Sequence, residues 1–109
     1  MEDKVSYPQL AKCVIILNKK DNVCVALKDI NTGKYAFAYD GKELLLTIKQ
    51  RISAGFKMSL THIKQDEMIY KYGYIIGVAC KDIEPGERVH IHNMRGLATV
   101  KKEVDCECI

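Results

Sequence analysis

The chain has 109 residues, enough for one domain and for a core that needs neither disulfides nor a metal staple. Its net charge of +3 is mild and its basic residues are interspersed with acids, which argues against nucleic acid as a partner. No apolar run approaches the roughly 20 residues that span a bilayer. Met1-Glu2-Asp3-Lys4 also lacks the charged and apolar regions of a signal peptide, so no membrane partner and a cytoplasmic location are expected.

Residues 1–12 show no clear period and form an N-terminal extension interrupted by Pro8. Cys13-Val14-Ile15-Ile16-Leu17 is a short β-rich run suited to a strand covered on both faces. A polar turn cluster, Asn18 to Asn22, separates it from a second apolar run, Val23 to Leu27. After a turn at Asp29-Ile30-Asn31-Thr32-Gly33, Lys34 to Tyr39 alternates. Tyr35, Phe37 and Tyr39 share one face, and Ala36 and Ala38 the other. Asp40-Gly41 is a turn signal. Residues 43–52 fit a short helix or a strand, and Thr47, Ile48 and the lack of a helix cap favour a strand with Leu44, Leu46 and Ile48 on one face.

Further strands are predicted at Lys57 to Ile63, Met68 to Tyr72 and Ile75 to Ala79, divided by turns at Ser53-Ala54-Gly55, Lys64-Gln65-Asp66 and Gly73. Pro85-Gly86 suits a type II turn, and Val89 and Ile91 then alternate with Arg88, His90 and His92. Residues 97–109 form a charged tail. Many short strands without a convincing amphipathic helix read as a mostly β barrel or clip.

The five cysteines, an odd count without an export signal, do not form a disulfide framework. Cys13, Cys24 and Cys80 lie in apolar runs as small hydrophobes. Cys106 and Cys108 in the tail are too few for a closed zinc site.

An internal repeat organises these elements. Residues 25–34 align with residues 78–87 at a constant offset of 53, with six of ten positions identical. Met58 to Ile63 is a fainter echo. Two copies point to a pseudo-symmetric small barrel rather than a solenoid. The offset pairs Ala36 and Ala38 with Val89 and Ile91, which predicts an inward face in both copies. It pairs Tyr35, Phe37 and Tyr39 with Arg88, His90 and His92 on the opposite face.

The second copy therefore holds the candidate chemical groups. Two imidazoles at i and i+2 on a strand lie about 6.5–7 Å apart at Cα. They could ligate one metal, or one could act as a base while the other binds an anion. Arg88 is a natural carboxylate partner, and Asn93 can donate and accept hydrogen bonds. The alternative is a solvated strand face with no chemistry. The tyrosines of Tyr70-Lys71-Tyr72-Gly73-Tyr74 could stack on a sugar or simply fill a half-buried strand, and His62 reads as a surface residue.

Lys71-Tyr72-Gly73, Ile76-Gly77, Ala79, Asp82-Ile83, Gly86-Glu87, Val89-His90 and His92-Asn93 together resemble the SAF domain of the altronate and galactarate dehydratase family. Asn18, Asp21-Asn22-Val23 and Val25-Ala26-Leu27 resemble the opening of that domain. The resemblance implies a SAF-type β-clip over residues 13–96. It implies the small subunit of a sugar-acid dehydratase, working with a large catalytic subunit and a divalent metal such as iron in the assembled enzyme. A non-catalytic carbohydrate-binding or accessory module and a sulfolactate sulfo-lyase-like small subunit are the alternatives, and the isolated chain could form a homo-oligomer. On this reading His90 and His92 are base or metal ligands, Arg88 and Asn93 orient the substrate carboxylate, and Lys71 and Tyr72 line the same edge. One position departs from the family: Gly55-Phe56-Lys57 stands where members usually carry Gly-His-Lys.

Overall fold

Four isoleucines, paired two by two, tie the chain together. In a computed structural model that describes residues 6–39 and 41–96, Ile30 and Ile52 exchange backbone hydrogen bonds of 2.8 and 2.9 Å. Ile63 and Ile83 do the same at 2.9 and 2.7 Å. All four side chains are buried, each stabilising the fold by about 1.5–3 kcal/mol relative to exposure.

Around these pairs run nine short strands among the described residues: β1 (Val14–Ile15), β2 (Val23–Ala26), β3 (Gly33–Tyr39), β4 (Lys42–Ile48), β5 (Lys57–Ser59), β6 (Met68–Lys71), β7 (Tyr74–Ala79), β8 (Arg88–Val89) and β9 (Met94–Gly96). A single 3₁₀ turn, Leu10–Lys12, precedes them. The strands form an antiparallel sheet β1-β2-β5-β8, a hairpin β3-β4 and a sheet β6-β7-β9. The domain is mostly β, as expected, but these sheets do not close into a barrel. No helix among the described residues is long and apolar enough to cross a membrane.

The repeat is realised as two pseudo-equivalent halves. In the first, Ala26 N donates to Phe56 O and Gly55 N to Ala26 O. In the second, Ala79 N donates to Glu67 O and Asp66 N to Ala79 O. Asp29 Oδ1 accepts from Ala54 N at 2.9 Å, and Asp82 Oδ1 accepts from Gln65 N at 2.9 Å. Arg51 pairs with Asp29 at 2.5 Å, and His62, in the equivalent place, lies 3.8 Å from Asp82 and 3.7 Å from Glu84. The shared Val-Ala-x-Lys-Asp-Ile sequence thus supplies the same strand, carboxylate bracket and buried isoleucine twice.

Alternation along β2 divides the core. Cys24 joins Leu10, Met58, Phe37 and Leu46 in one cluster, while its neighbour Val23 joins Ile63, Ile69 and Val89 in the other. Both faces of β2 are therefore covered, whereas in the Cys13–Leu17 run, expected to be covered on both faces, only Val14–Ile15 is strand and Leu17 is 64% exposed. Burial pushes the Cys24 thiol up to about 12, so it behaves as a small hydrophobe. Leu10, in the segment read as an extension, is fully buried. Cys106, Cys108 and the rest of the tail lie outside the described residues.

Two expectations about facing are corrected. In β3 the inward residue is Phe37, 1% exposed, and Ala38 is exposed. The hairpin register sets Tyr35 against Leu46 and Phe37 against Leu44, so the aromatic face packs on the core. In the second copy the strand ends at Val89, and Ile91, expected inward, is 81% exposed.

The β6–β7 hairpin turns at Tyr72 and Gly73, with φ of 57° and 84°. Positive φ at both central residues gives the primed turn whose twist suits a hairpin. The turn cluster before β2 clamps it. Asp21 Oδ1 accepts from Gly73 N at 2.8 Å, and Asn22 Oδ1 accepts from Tyr70 N at 2.8 Å.

Candidate functional site

The site is built from the turn before β8, from β8 itself and from the turn after it. The Pro85-Gly86 turn docks on β5: Gly86 N donates to Ser59 O and Ser59 N to Glu87 O, both at 2.8 Å. Gly86 has φ of 86°, and a Cβ there would lie 2.5 Å from Thr47 O, so a larger residue could not sit against β4. Val89 is then driven into the second core cluster. Arg88, opposite Met58 in register, projects to the other face of the sheet.

Residues 90–93 are a tight turn rather than a strand. His90 O accepts from Asn93 N at 3.0 Å and from Met94 N at 2.9 Å. His90 N donates to Asn93 Oδ1 at 2.9 Å. The i, i+2 strand geometry expected for His90 and His92 is therefore absent, because the side chain of Asn93 bends the backbone before a further ladder bond can form. Asn93 is fully buried, and its Nδ2 donates to Arg88 O at 2.8 Å. Its amide is used within the turn and is not presented to a substrate carboxylate.

The turn still gathers charge. His92 is exposed, and its imidazole is held below its usual pKa of 6.5, first by partial desolvation and then by the positive charges of Arg88 and Lys81. Glu87 opposes this shift and His90 adds to it. Arg88 and Lys81 thus place positive charge beside the His90 and His92 imidazoles on this end of the domain.

A residue that the sequence reading did not assign lies inside this group. Phe56 makes an edge-to-face contact with His90, ring centroids 5.3 Å apart and planes at 76°. The Arg88 guanidinium carbon lies 5.1 Å from the same ring centroid. Phe56, where the resemblance leads one to expect histidine, is therefore in contact with both candidate residues. Only the pseudo-symmetric frame brings it there, since Phe56 is 32 residues before Arg88.

Lys71 and Tyr72 stand elsewhere. Lys71 Nζ lies 5.2 Å from the Tyr72 ring centroid at the β6–β7 turn. Lys71 also acts on Lys57, whose pKa is lowered by burial and then by the Lys71 charge. Lys57 is opposite Val89 and Val25 in register, so its side chain leaves β5 on the face away from Met58 and Arg88. Two cationic groups result, one around Phe56 and one at the hairpin tip. A groove of about 560 Å³ runs beside the first, between Leu45–Gln50 and the Glu84–Glu87 turn, and is lined by none of the predicted site residues.

Among the described residues no three His, Cys, Asp or Glu side chains converge to hold a metal ion. His90 and His92 would supply two donors at most, so this part of the chain does not fit a self-contained metal site.

Comparison with known proteins gives one family. Residues 12–97 match the altronate/galactarate dehydratase SAF domain. The chain is similar to an altronate dehydratase of Bacillus subtilis, 40% identical over 84 residues, and to one of Escherichia coli, 38% identical over 81 residues. These matches cover 77% and 74% of the chain but 16% of each relative, so the chain spans about one sixth of their length. It is also similar to the alpha subunit of a (2R)-sulfolactate sulfo-lyase of Chromohalobacter salexigens, 33% identical over 54 residues, half of this chain and 57% of that subunit.

Proposed function

The chain belongs to the altronate/galactarate dehydratase SAF domain family, and from that premise we propose that it is the small component of a hydro-lyase that removes water from a sugar acid. The larger catalytic part would supply the remainder of the active site. The observation that carries this reading is the meeting of Arg88, His90 and His92 at one end of a domain whose relatives devote most of their length to something else.

Elimination from a hydroxy acid takes a proton α to a carboxylate and expels the β-hydroxyl. Arg88 is suited to receive the carboxylate in a forked pair of hydrogen bonds. His92, mostly neutral at pH 7 because its cation is disfavoured, is suited to accept a proton. His90, steadied by Phe56, borders the same space. Asn93 serves as the brace of the turn. A divalent metal in the assembled enzyme, which would stabilise developing negative charge, would need ligands beyond those of the described residues. Lys71 and Tyr72 are assigned to a second edge, facing the partner or the distal end of the substrate.

The test is purification of the protein in the form its own cells make, with its larger catalytic part, followed by assay on altronate, galactarate and sulfolactate. Formation of a 2-keto-3-deoxy acid is expected. Release of sulfite instead would move the reading to the sulfo-lyase branch, which the similarity to the alpha subunit favours. Turnover of none of the three would leave the non-catalytic binding module as the better reading.

A further inference from the structure

We propose that Phe56 is a positioning residue that holds Arg88 and His90 as the two walls of a carboxylate-recognition recess. This deepens the reading above, since the carboxylate it would take is that of the hydroxy-acid substrate.

The ring is fixed from below. Phe56 packs against the first core cluster, its carbonyl accepts from Ala26 N at 2.9 Å and its N–H donates to Ser53 O at 3.1 Å. Arg88 and His90 both lie against this anchored ring. Arg88 has no carboxylate partner among the described residues, and its Nε is buried without a hydrogen-bond partner. The nearest acid in sequence, Glu87, is turned away: its Oε1 accepts from Glu84 N at 2.9 Å and its Oε2 lies 3.5 Å from Asn93 Nδ2.

A half-buried guanidinium steadied by an aromatic ring instead of an anion is a preorganised binder; because its Nε is enclosed, a carboxylate would meet the Nη edge and be sensed at the Nε–H through the shared guanidinium. A flat carboxylate is the group that matches its fork. Removing the ring would free Arg88 to sample other rotamers and return the cost of ordering it to the binding step.

The experiment follows the Arg88 Nε–H and His90 backbone amide by NMR in the 109-residue chain during titration with sodium glycerate, a small hydroxy carboxylate. Wild type and F56Y, which keeps the ring, are expected to show saturable shifts at both groups. F56L and F56M are expected to bind about tenfold more weakly or worse, with the rest of the spectrum unchanged. Using two ringless variants guards against one failing to fold. Absence of any glycerate-induced shift at Arg88 in wild type would overturn the recess. Wild-type affinity in either folded ringless variant would overturn the role of Phe56. Because binding is read on this chain alone, a protein that binds glycerate here but supports no lyase turnover would defeat the proposed function and leave this inference standing.

Discussion

Asn93 and His92 show how differently two neighbouring polar residues can serve one turn. Asn93 is buried with its amide satisfied by the backbone of Arg88 and His90. Asn93→Ala leaves that N–H and C=O without partners, so a loss of about 1–3 kcal/mol of stability is expected in chemical denaturation. His92 instead carries the pH dependence. Its cation is disfavoured in the folded state, so the folded chain binds fewer protons than the unfolded chain below the ordinary value of 6.5. Stability from this residue is full above that value and is lost as pH falls through the lowered folded pKa. His92→Gln should flatten the pH dependence of the melting temperature in that acidic window, and an NMR titration of His92 should give a midpoint below 6.5. The sequence marked both residues as special, but it could not separate them. Either asparagine role, ligand or turn brace, fits the same letters, and the choice depends on whether the strand continues past Val89. Phe56 was named only as a departure from a family pattern, because its contacts come from β5 lying beside β8, a pairing with no local signature.

At the scale of elements, the repeat made the fold legible where both copies share residues. Val-Ala-x-Lys-Asp-Ile occurs twice, and both copies form the same strand and bracket. The answering arms share little beyond Ile52 and Ile63, so the isoleucine pairs emerge only in three dimensions. The facing of β3 departs from expectation for a related reason: offset alignment transfers position but not the partner strand, and β3 pairs with β4 whereas β8 pairs with β5. If the two brackets are equivalent, Asp29→Ala and Asp82→Ala should each cost about 1 kcal/mol in denaturation experiments, and a large difference between them would count against the symmetry. Gly77 sits against Gly96 in register, and a Cβ there would collide with Arg95 O and crowd Met94 Cγ at 3.1 Å. Gly77→Ala should therefore separate β7 from β9 and destabilise the domain by roughly 2–3 kcal/mol, seen as early loss of amide protection in both strands.

For the whole molecule, the domain offers cationic and imidazole groups at one end and, among the described residues, no cluster of acidic ligands beside them. On the function proposed above, such an end would be one part of an active site that a larger component completes. The relatives are consistent with that division, since the chain spans about one sixth of each altronate dehydratase it matches. Ile91, at the tip of the His90–His92 turn, is 81% exposed, and the proposed function predicts that the larger catalytic part covers it.

The most direct test is the turnover of the assembled enzyme carrying His90→Ala and His92→Ala together, measured beside wild type with assembly checked by size. General acid–base participation predicts a fall in kcat of about 100-fold or more, with the complex intact and substrate still bound through Arg88. Unchanged turnover in an intact complex would contradict a catalytic role for this turn and leave the domain as a binding module.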